Sequence, residues 1–271
     1  MRVFVTGASG HIGSAAVVQA MGAEVHRDGL DNLDGLRAAA AAADAVVHLA
    51  FDHQAMAGGN FGGAVATDLA VVQALGDGLA GQGKTLIGVG MRPTGDERRD
   101  AAIAANPRSA VSRAIADLGE RDVHTILVAI PPVTHSARDT GGFIPQLIRI
   151  ARDTGVSGYV GEGANRWPAG HTLDVAALYR LALDKAPAGA QLFAAAEEGI
   201  PVREIAETIG RHLGIPAVSI PAEEAAAHFT SFPFITLDIT MPSAATREML
   251  GWTPTHPGLL ADLDEGHYFT S

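Results

Sequence analysis

Four side chains combine reactive chemistry with a place just beyond an apolar run: Asp52 and His53 after DAVVHLA (44–50), Arg92 after TLIGV (85–89), and His135 after VHTILVAI (123–130). Imidazole titrates near neutrality, so His53 or His135 could take or give a proton, with the Asp52 carboxylate as a further acid/base group. Arg92 could bind a carboxylate or stabilise a developing enolate. Together these groups could move protons beside a carbonyl, and Phe51 and Met91 would border the same space. A second group, Phe229, Phe232 and Phe234 in FTSFPF, offers an aromatic surface suited to an apolar or ring-containing ligand. Ordinary core packing accounts for Trp167 and the phenylalanines equally well, and a helix cap or a structural role accounts for Asp174.

The remaining histidines point elsewhere. His48 lies inside a buried-strand pattern and reads as a satisfied core histidine. His26, His124, His212, His228, His256 and His267 show no metal-ligand spacing with Asp, Glu or one another, and the chain has no Cys, so no metal is expected. Gly-x-Ser-x-Gly is absent, which argues against a hydrolase built on an α/β sheet.

Elements must hold these groups in place. Short β-rich runs at 2–6, 23–27, 44–50, 85–89 and 123–130 alternate with Ala-rich helical segments at 11–21, 32–43, 60–80 and 107–120, with Asp31, Asn60 and Asn106 as candidate caps. Continuous apolar strands separated by helices imply a doubly wound α/β fold whose parallel sheet is covered on both faces. Beyond residue 130 the rhythm weakens, and helices are expected at 143–153, 173–185, 201–213 and 243–249. This gives a first domain over 1–155 and a smaller α+β lobe over 156–271, interleaved in one compact unit.

The composition narrows the function classes. A formal net charge of -11 and a sequence pI near 5.4 argue against nucleic acid as a partner. Mean hydropathy is +0.17, and the longest apolar run, near Ala38–Ala50, is interrupted by Asp44, so no membrane span is expected. MRVFVTG lacks the apolar segment and cleavage site of a secretory signal, which with the absence of Cys points to the cytoplasm. The expected partner is a small molecule.

VFVTGASGHIGSA sets Gly7, Gly10 and Gly13 after a strand and at the start of a helix that begins His11-Ile12. Glycines at this spacing permit a tight turn and close backbone approach to a pyrophosphate, which the helix N-terminus then faces. The count to an acidic residue roughly twenty positions on reaches Asp28, a candidate for ribose hydroxyls, while the adjacent Arg27 would suit a 2′-phosphate. NAD and NADP both stay open.

With DAVVHLAF, PPVTH, ANRWPAGHTLDVA and LGWTPTHPGLLADL, this turn resembles the extended short-chain dehydrogenase/reductase family, the NAD-dependent epimerase/dehydratase group, over nearly the whole chain. The resemblance implies a Rossmann domain, a substrate lobe, a cleft between them and commonly a homodimer, with Arg166, Trp167 and His171 in a stretch that borders the substrate site. It also implies a Tyr-x-x-x-Lys pair and a Ser or Thr at the preceding strand end, and the sequence departs from both. NPRSAVSRAIADLG puts Arg108 and Ser112 in the Tyr and Lys places, none of the three Tyr has Lys four residues later, and TLIGVGM offers no hydroxyl at the strand end. A further departure is that AEVHRDGLDNLDGL resembles the family's third strand and follows the first helix directly, so one strand-helix unit is missing and AEVHR is expected to pair beside the first strand. Three functions compete on this scaffold: non-redox isomerisation, cyclisation or elimination; an NAD(P)-dependent oxidoreductase or epimerase with a displaced proton donor; and a non-catalytic nucleotide or metabolite sensor.

Overall fold

The structure is a computed structural model, and it describes residues 1–15, 24, 26, 28–91, 97–230 and 232–270. The chain divides into two compact units. The first comprises Met1–Ala129, Ala176–Leu192 and Ala245–Trp252, and the second Ile130–Val175, Phe193–Ala244 and Thr253–Ser271. The boundary expected at residue 155 thus lies at Ala129–Ile130, because the strand that begins at Val133 joins a different sheet.

In chain order the first unit contains β1 (Val3–Thr6), α1 (His11–Ala15), α2 (Leu33–Ala42), β2 (Ala45–His48), α3 (His53–Ala57), α4 (Phe61–Leu79), β3 (Thr85–Val89), α5 (Glu97–Ala105), α6 (Ser109–Asp117) and β4 (His124–Ala129). Then come β5 (Val133–His135), α7 (Phe143–Thr154), β6 (Ser157–Val160), β7 (Arg166–His171), α8 (Thr172–Lys185), β8 (Gln191–Phe193), β9 (Glu197–Pro201), α9 (Val202–Leu213), β10 (Ala217–Ile220), α10 (Ala225–His228), α11 (Ala244–Leu250) and α12 (Leu259–Asp264).

The first unit is built on a five-stranded sheet in the order β1-β2-β3-β4-β8, with β1 to β4 parallel. Apolar strands such as AVVH are buried at every position, as a sheet covered on both faces requires. Its core joins Val46 and Leu86 of the sheet to Val71, Leu75 and Leu79 of α4 and to Val111 and Ile115 of α6. Asn60 caps α4 through Gly63 N–H as the sequence suggested, and Asn106 accepts from Arg108 N–H. For α2 the cap is Asn32, whose side chain accepts from Gly35 N–H, and not Asp31.

Of the predicted strand AEVHR, residues 23, 25 and 27 lie outside the described residues, and Glu24 and His26 belong to no strand. Glu24 pairs with Arg2, before β1, at 3.1 Å, and the His26 ring stands edge-on to Phe4 of β1 at 5.5 Å.

The second unit holds a three-stranded sheet, β5-β7-β9, and the parallel pair β10-β6. Leu147 and Ile148 of α7, Ile205 and Ile209 of α9, Trp167 and Phe232 form its core. Among the described residues, no helix is long and apolar enough to cross a membrane.

Candidate active site

In the first unit the parallel register sets Thr6 beside His48, each at the carboxyl end of its strand. Both are buried, and from them runs a chain of polar contacts. Thr6 Oγ1 lies 2.6 Å from His48 Nδ1, His48 Nε2 lies 2.8 Å from Asp68 Oδ1 on α4, and Arg108 donates to Asp68 Oδ2 at 3.1 Å from the start of α6. A carboxylate only accepts, so the Nε2–H tautomer of His48 satisfies the chain, with Nδ1 accepting the Thr6 hydroxyl proton. His48 is therefore the satisfied core histidine its strand pattern suggested. Arg108 also lies over the Phe51 ring, 4.3 Å from its centroid.

Phe51 leads into a cavity of about 550 Å³ lined by Leu30, Asp31, Phe51, Asp52, His53, Gln54 and Thr67. In an open α/β sheet, ligands bind beyond the carboxyl ends of the strands, and this cavity is built largely from the residues that follow β2. Asp52 caps α3 by accepting from Ala55 N–H at 2.9 Å, which ties one carboxylate oxygen to the helix. His53 is exposed, with its ring edge-on to Phe51 at 5.3 Å. Partial desolvation, and then the positive charge of Arg108, push its pKa below the ordinary imidazole value against an opposing pull from Asp52. At neutral pH, His53 is therefore a neutral imidazole able to accept a proton.

At the positions where the resemblance implies a proton relay, the side chains are already engaged within the chain. Ser112 is buried, and its hydroxyl accepts from Met91 N–H at 3.2 Å. A Cβ on Gly90 would run into that hydroxyl oxygen, so glycine follows β3 where the resemblance implies a Ser or Thr. The phenols of Tyr179 and Tyr268 are pushed well above their ordinary pKa, chiefly by burial, the direction opposite to what a relay needs. Arg92 and Arg27 lie outside the described residues. Met91 is half-buried.

The glycine turn, expected to approach a pyrophosphate, is tight. Gly7 has φ +71, and a Cβ there would come within 2.7 Å of the Ala50 nitrogen. A Cβ on Gly13 would come within 2.1 Å of the Gly7 carbonyl oxygen, so α1 packs directly on the turn. Gly10 N–H donates to Gly7 O at 2.9 Å, and His11 and Ile12 are half-buried in the opening turn of α1. Asp28 has Oδ2 paired with His26 Nε2 at 2.7 Å and Oδ1 accepting from Asn32 at 2.9 Å, so both oxygens already have partners within the chain.

In the second unit, several predicted ligand-facing residues are core. Trp167 is fully buried and donates from Nε1 to Leu237 O at 3.0 Å, while Phe229 and Phe232 are buried in the same core. The aromatic pattern reflected packing, and only Phe234 of that group is exposed, stacked on Phe143 at 5.6 Å. Arg166 is exposed and pairs with Asp238 at 3.5 Å. His135 is wholly buried, with Nδ1 2.8 Å from Asp262 Oδ2, so it is not the accessible base that its place after a strand suggested. His171 is buried next to it. Asp174 is the structural carboxylate that the sequence left open, accepting from Thr255 N–H, His256 N–H and the His256 ring. Burial pushes its pKa up, but these hydrogen bonds outweigh that and hold it below the ordinary carboxylate value.

Sequence reasoning missed Asp68, Asp262 and the role of His256, because their partners lie 20 to 127 residues away. It also missed the grouping of Asp262, Glu265 and His267, whose ligand atoms lie within 4.8 Å of one another. The DLDEGH spacing was the available signal for that group.

No family model matches the chain. Two yeast proteins do. The uncharacterized protein C2A9.02 of Schizosaccharomyces pombe is 35% identical over 299 residues, covering 99% of this chain and 100% of that one. The uncharacterized protein YLL056C of Saccharomyces cerevisiae is 33% identical over 295 residues, covering 97% and 98%. Among solved structures, the dTDP-glucose 4,6-dehydratase DesIV of Streptomyces venezuelae, with NAD and TYD bound, aligns at TM-score 0.73 and 17% identity over 98% of this chain and 96% of that one. The UDP-glucose 4-epimerase of Thermus thermophilus, in complex with NAD, aligns at TM-score 0.70 and 17% identity over 100% of both chains. The chain belongs to one family with the two yeast proteins and is built on the fold of the NAD-dependent epimerase/dehydratases, the extended short-chain dehydrogenase/reductases.

Proposed function

We propose that the protein is an enzyme that moves a proton beside the carbonyl of a small metabolite, by isomerisation, cyclisation or elimination, without hydride transfer. His53 is the base, and Arg108, in the role the sequence suggested for Arg92, supplies the positive charge that stabilises the developing enolate. The observation that carries this reading is the position of Arg108. It stands where the resemblance expects the relay Tyr, is tied to buried Asp68, and cannot pass a proton at neutral pH, yet it sets its charge beside the cavity that holds His53. One further fact supports it: Asp28 is already engaged by His26 and Asn32.

The test is proton exchange. The purified protein is incubated in deuterated buffer with a panel of small apolar and cyclic ketones, and loss of the C–H signal next to the carbonyl is followed by NMR. Exchange that falls in both His53→Gln and Arg108→Gln is the expected outcome. Turnover that appears only on addition of NADH or NADPH would overturn the reading. A second reading, an NAD(P)-dependent oxidoreductase or epimerase with its proton donor elsewhere, is favoured by one observation, the intact Gly7 turn against Ala50.

A further inference from the structure

Three histidines distant in sequence form a continuous row within the second unit. His135 and His171 are register partners in β5 and β7, with rings edge to face at 5.5 Å. His171 and His256 stack at 4.5 Å with 6° between their planes. Each end of the row is held by a buried carboxylate, His135 by Asp262 and His256 by Asp174, both at 2.8 Å. The middle ring has no such carboxylate among the described residues. Its Nδ1 accepts from Leu173 N–H at 3.3 Å in the first turn of α8, which requires that nitrogen to be unprotonated.

The groups that face His171 are therefore His135 from β5, Asp174 from α8, His256 from the 253–258 turn and Asp262 from α12. Outward of these lie His267, 3.7 Å from Asp262, with Glu265 beyond it, and Glu197 of β9, which accepts from Leu259 N–H. Tyr268 donates to Asp139 and is bonded by Ser136 N–H next to His135. Two carboxylates border three imidazoles and each is taken up by an end ring, so a charge on the middle ring has no carboxylate of its own among the described residues.

We propose that this row is an acid-sensitive latch: a proton on His171 breaks its bond to Leu173, sets its charge against His135 and His256, and frees the start of α8 from β5 and the 253–258 turn. The row lies where the chain enters and leaves the second unit, His135 five residues after the crossing at Ile130, His171 five before that at Ala176, and His256 three after that at Thr253. The direction agrees with the electrostatics. Burial, and then the neighbouring His135 and His256, hold His171 below the ordinary imidazole value, with Asp262 and Asp174 offsetting part of this. A group with a depressed folded-state pKa leaves the latch closed above about pH 6.5 and weakens it as pH falls.

Limited proteolysis of the full chain between about pH 7.5 and about pH 5, normalised to an unfolded substrate, tests the latch on wild type and on His171→Phe, which keeps the ring contacts without a titrating group. Wild type should show cleavage at 172–176 and 253–258 that rises by up to about tenfold per pH unit below the ordinary imidazole value, and His171→Phe should show none of that rise. An equal rise in both proteins, or none in wild type, overturns the proposal. Should His171→Phe fail to fold, NMR of wild type decides. The His171 ring must titrate below free imidazole with the Leu173 amide shifting in step, and a ring that titrates at or above the free value, or an unmoved amide, overturns it.

Discussion

At the scale of single residues, the molecule sets a protonatable group beside a fixed charge. Partial desolvation and Arg108 lower the His53 pKa, so the proposed exchange activity should hold at neutral pH and fall only below about pH 6.5. Arg108→Gln removes a charge that depresses His53, so the acid limb of the rate profile should move to higher pH, and an unmoved limb would show that Arg108 does not act on the base. Asp68 is a different case, because it is almost wholly buried and serves both His48 and Arg108. Asp68→Ala leaves both without an acceptor, and a loss of about 3–5 kcal/mol in urea unfolding is expected. His53 was legible in the sequence as an imidazole just past a strand end. Arg108 was legible only as a departure from the family, since nothing local shows that it would meet Asp68 forty residues earlier.

At the scale of elements, periodicity and caps carried most of the first unit. TLIGV is β3 at the predicted bounds, and DAVVHLA trims to β2 and VHTILVAI to β4, because buried parallel strands are apolar throughout. Strands β5 to β10 were not foreseen, being three to six residues long and rich in Gly and polar positions. α12 was equally hidden, because what fixes it is Asp262 meeting His135 in a distant strand. The glycine turn gives an element-scale prediction. Gly7→Ala places a Cβ against the Ala50 backbone at a positive φ, and should lower stability by about 1–3 kcal/mol, read as a reduced urea midpoint, with the β1–α1 turn shifted. A variant as stable as wild type would mean that the turn relaxes freely.

At the scale of the whole molecule, the α/β class and the parallel sheet followed from alternation of strands and helices, whereas the division into units did not follow chain order. Residues 176–192 and 245–252 return to the first unit, a consequence of long-range pairing such as Leu127 N–H to Ala190 O, which no local pattern encodes. The aromatic residues mislead at this scale, because a ring that packs a core and a ring that receives a ligand look alike in sequence. Trp167 is the sharpest instance, and Trp167→Ala should cost about 3–5 kcal/mol of stability. Arg166→Ala, at an exposed ion pair, should change it little by the same measurement.

The central claim is that proton chemistry at His53 has replaced nicotinamide chemistry on this scaffold. Calorimetric titration of the purified protein with NADH and with NADPH tests it most directly, because the redox reaction that the resemblance implies would require one of them, while here Asp28 is engaged and Ser112 is buried. The account predicts no binding of either at concentrations up to about 1 mM, weaker than about −4 kcal/mol. A dissociation constant near 1 μM for either, about −8 kcal/mol, would contradict it.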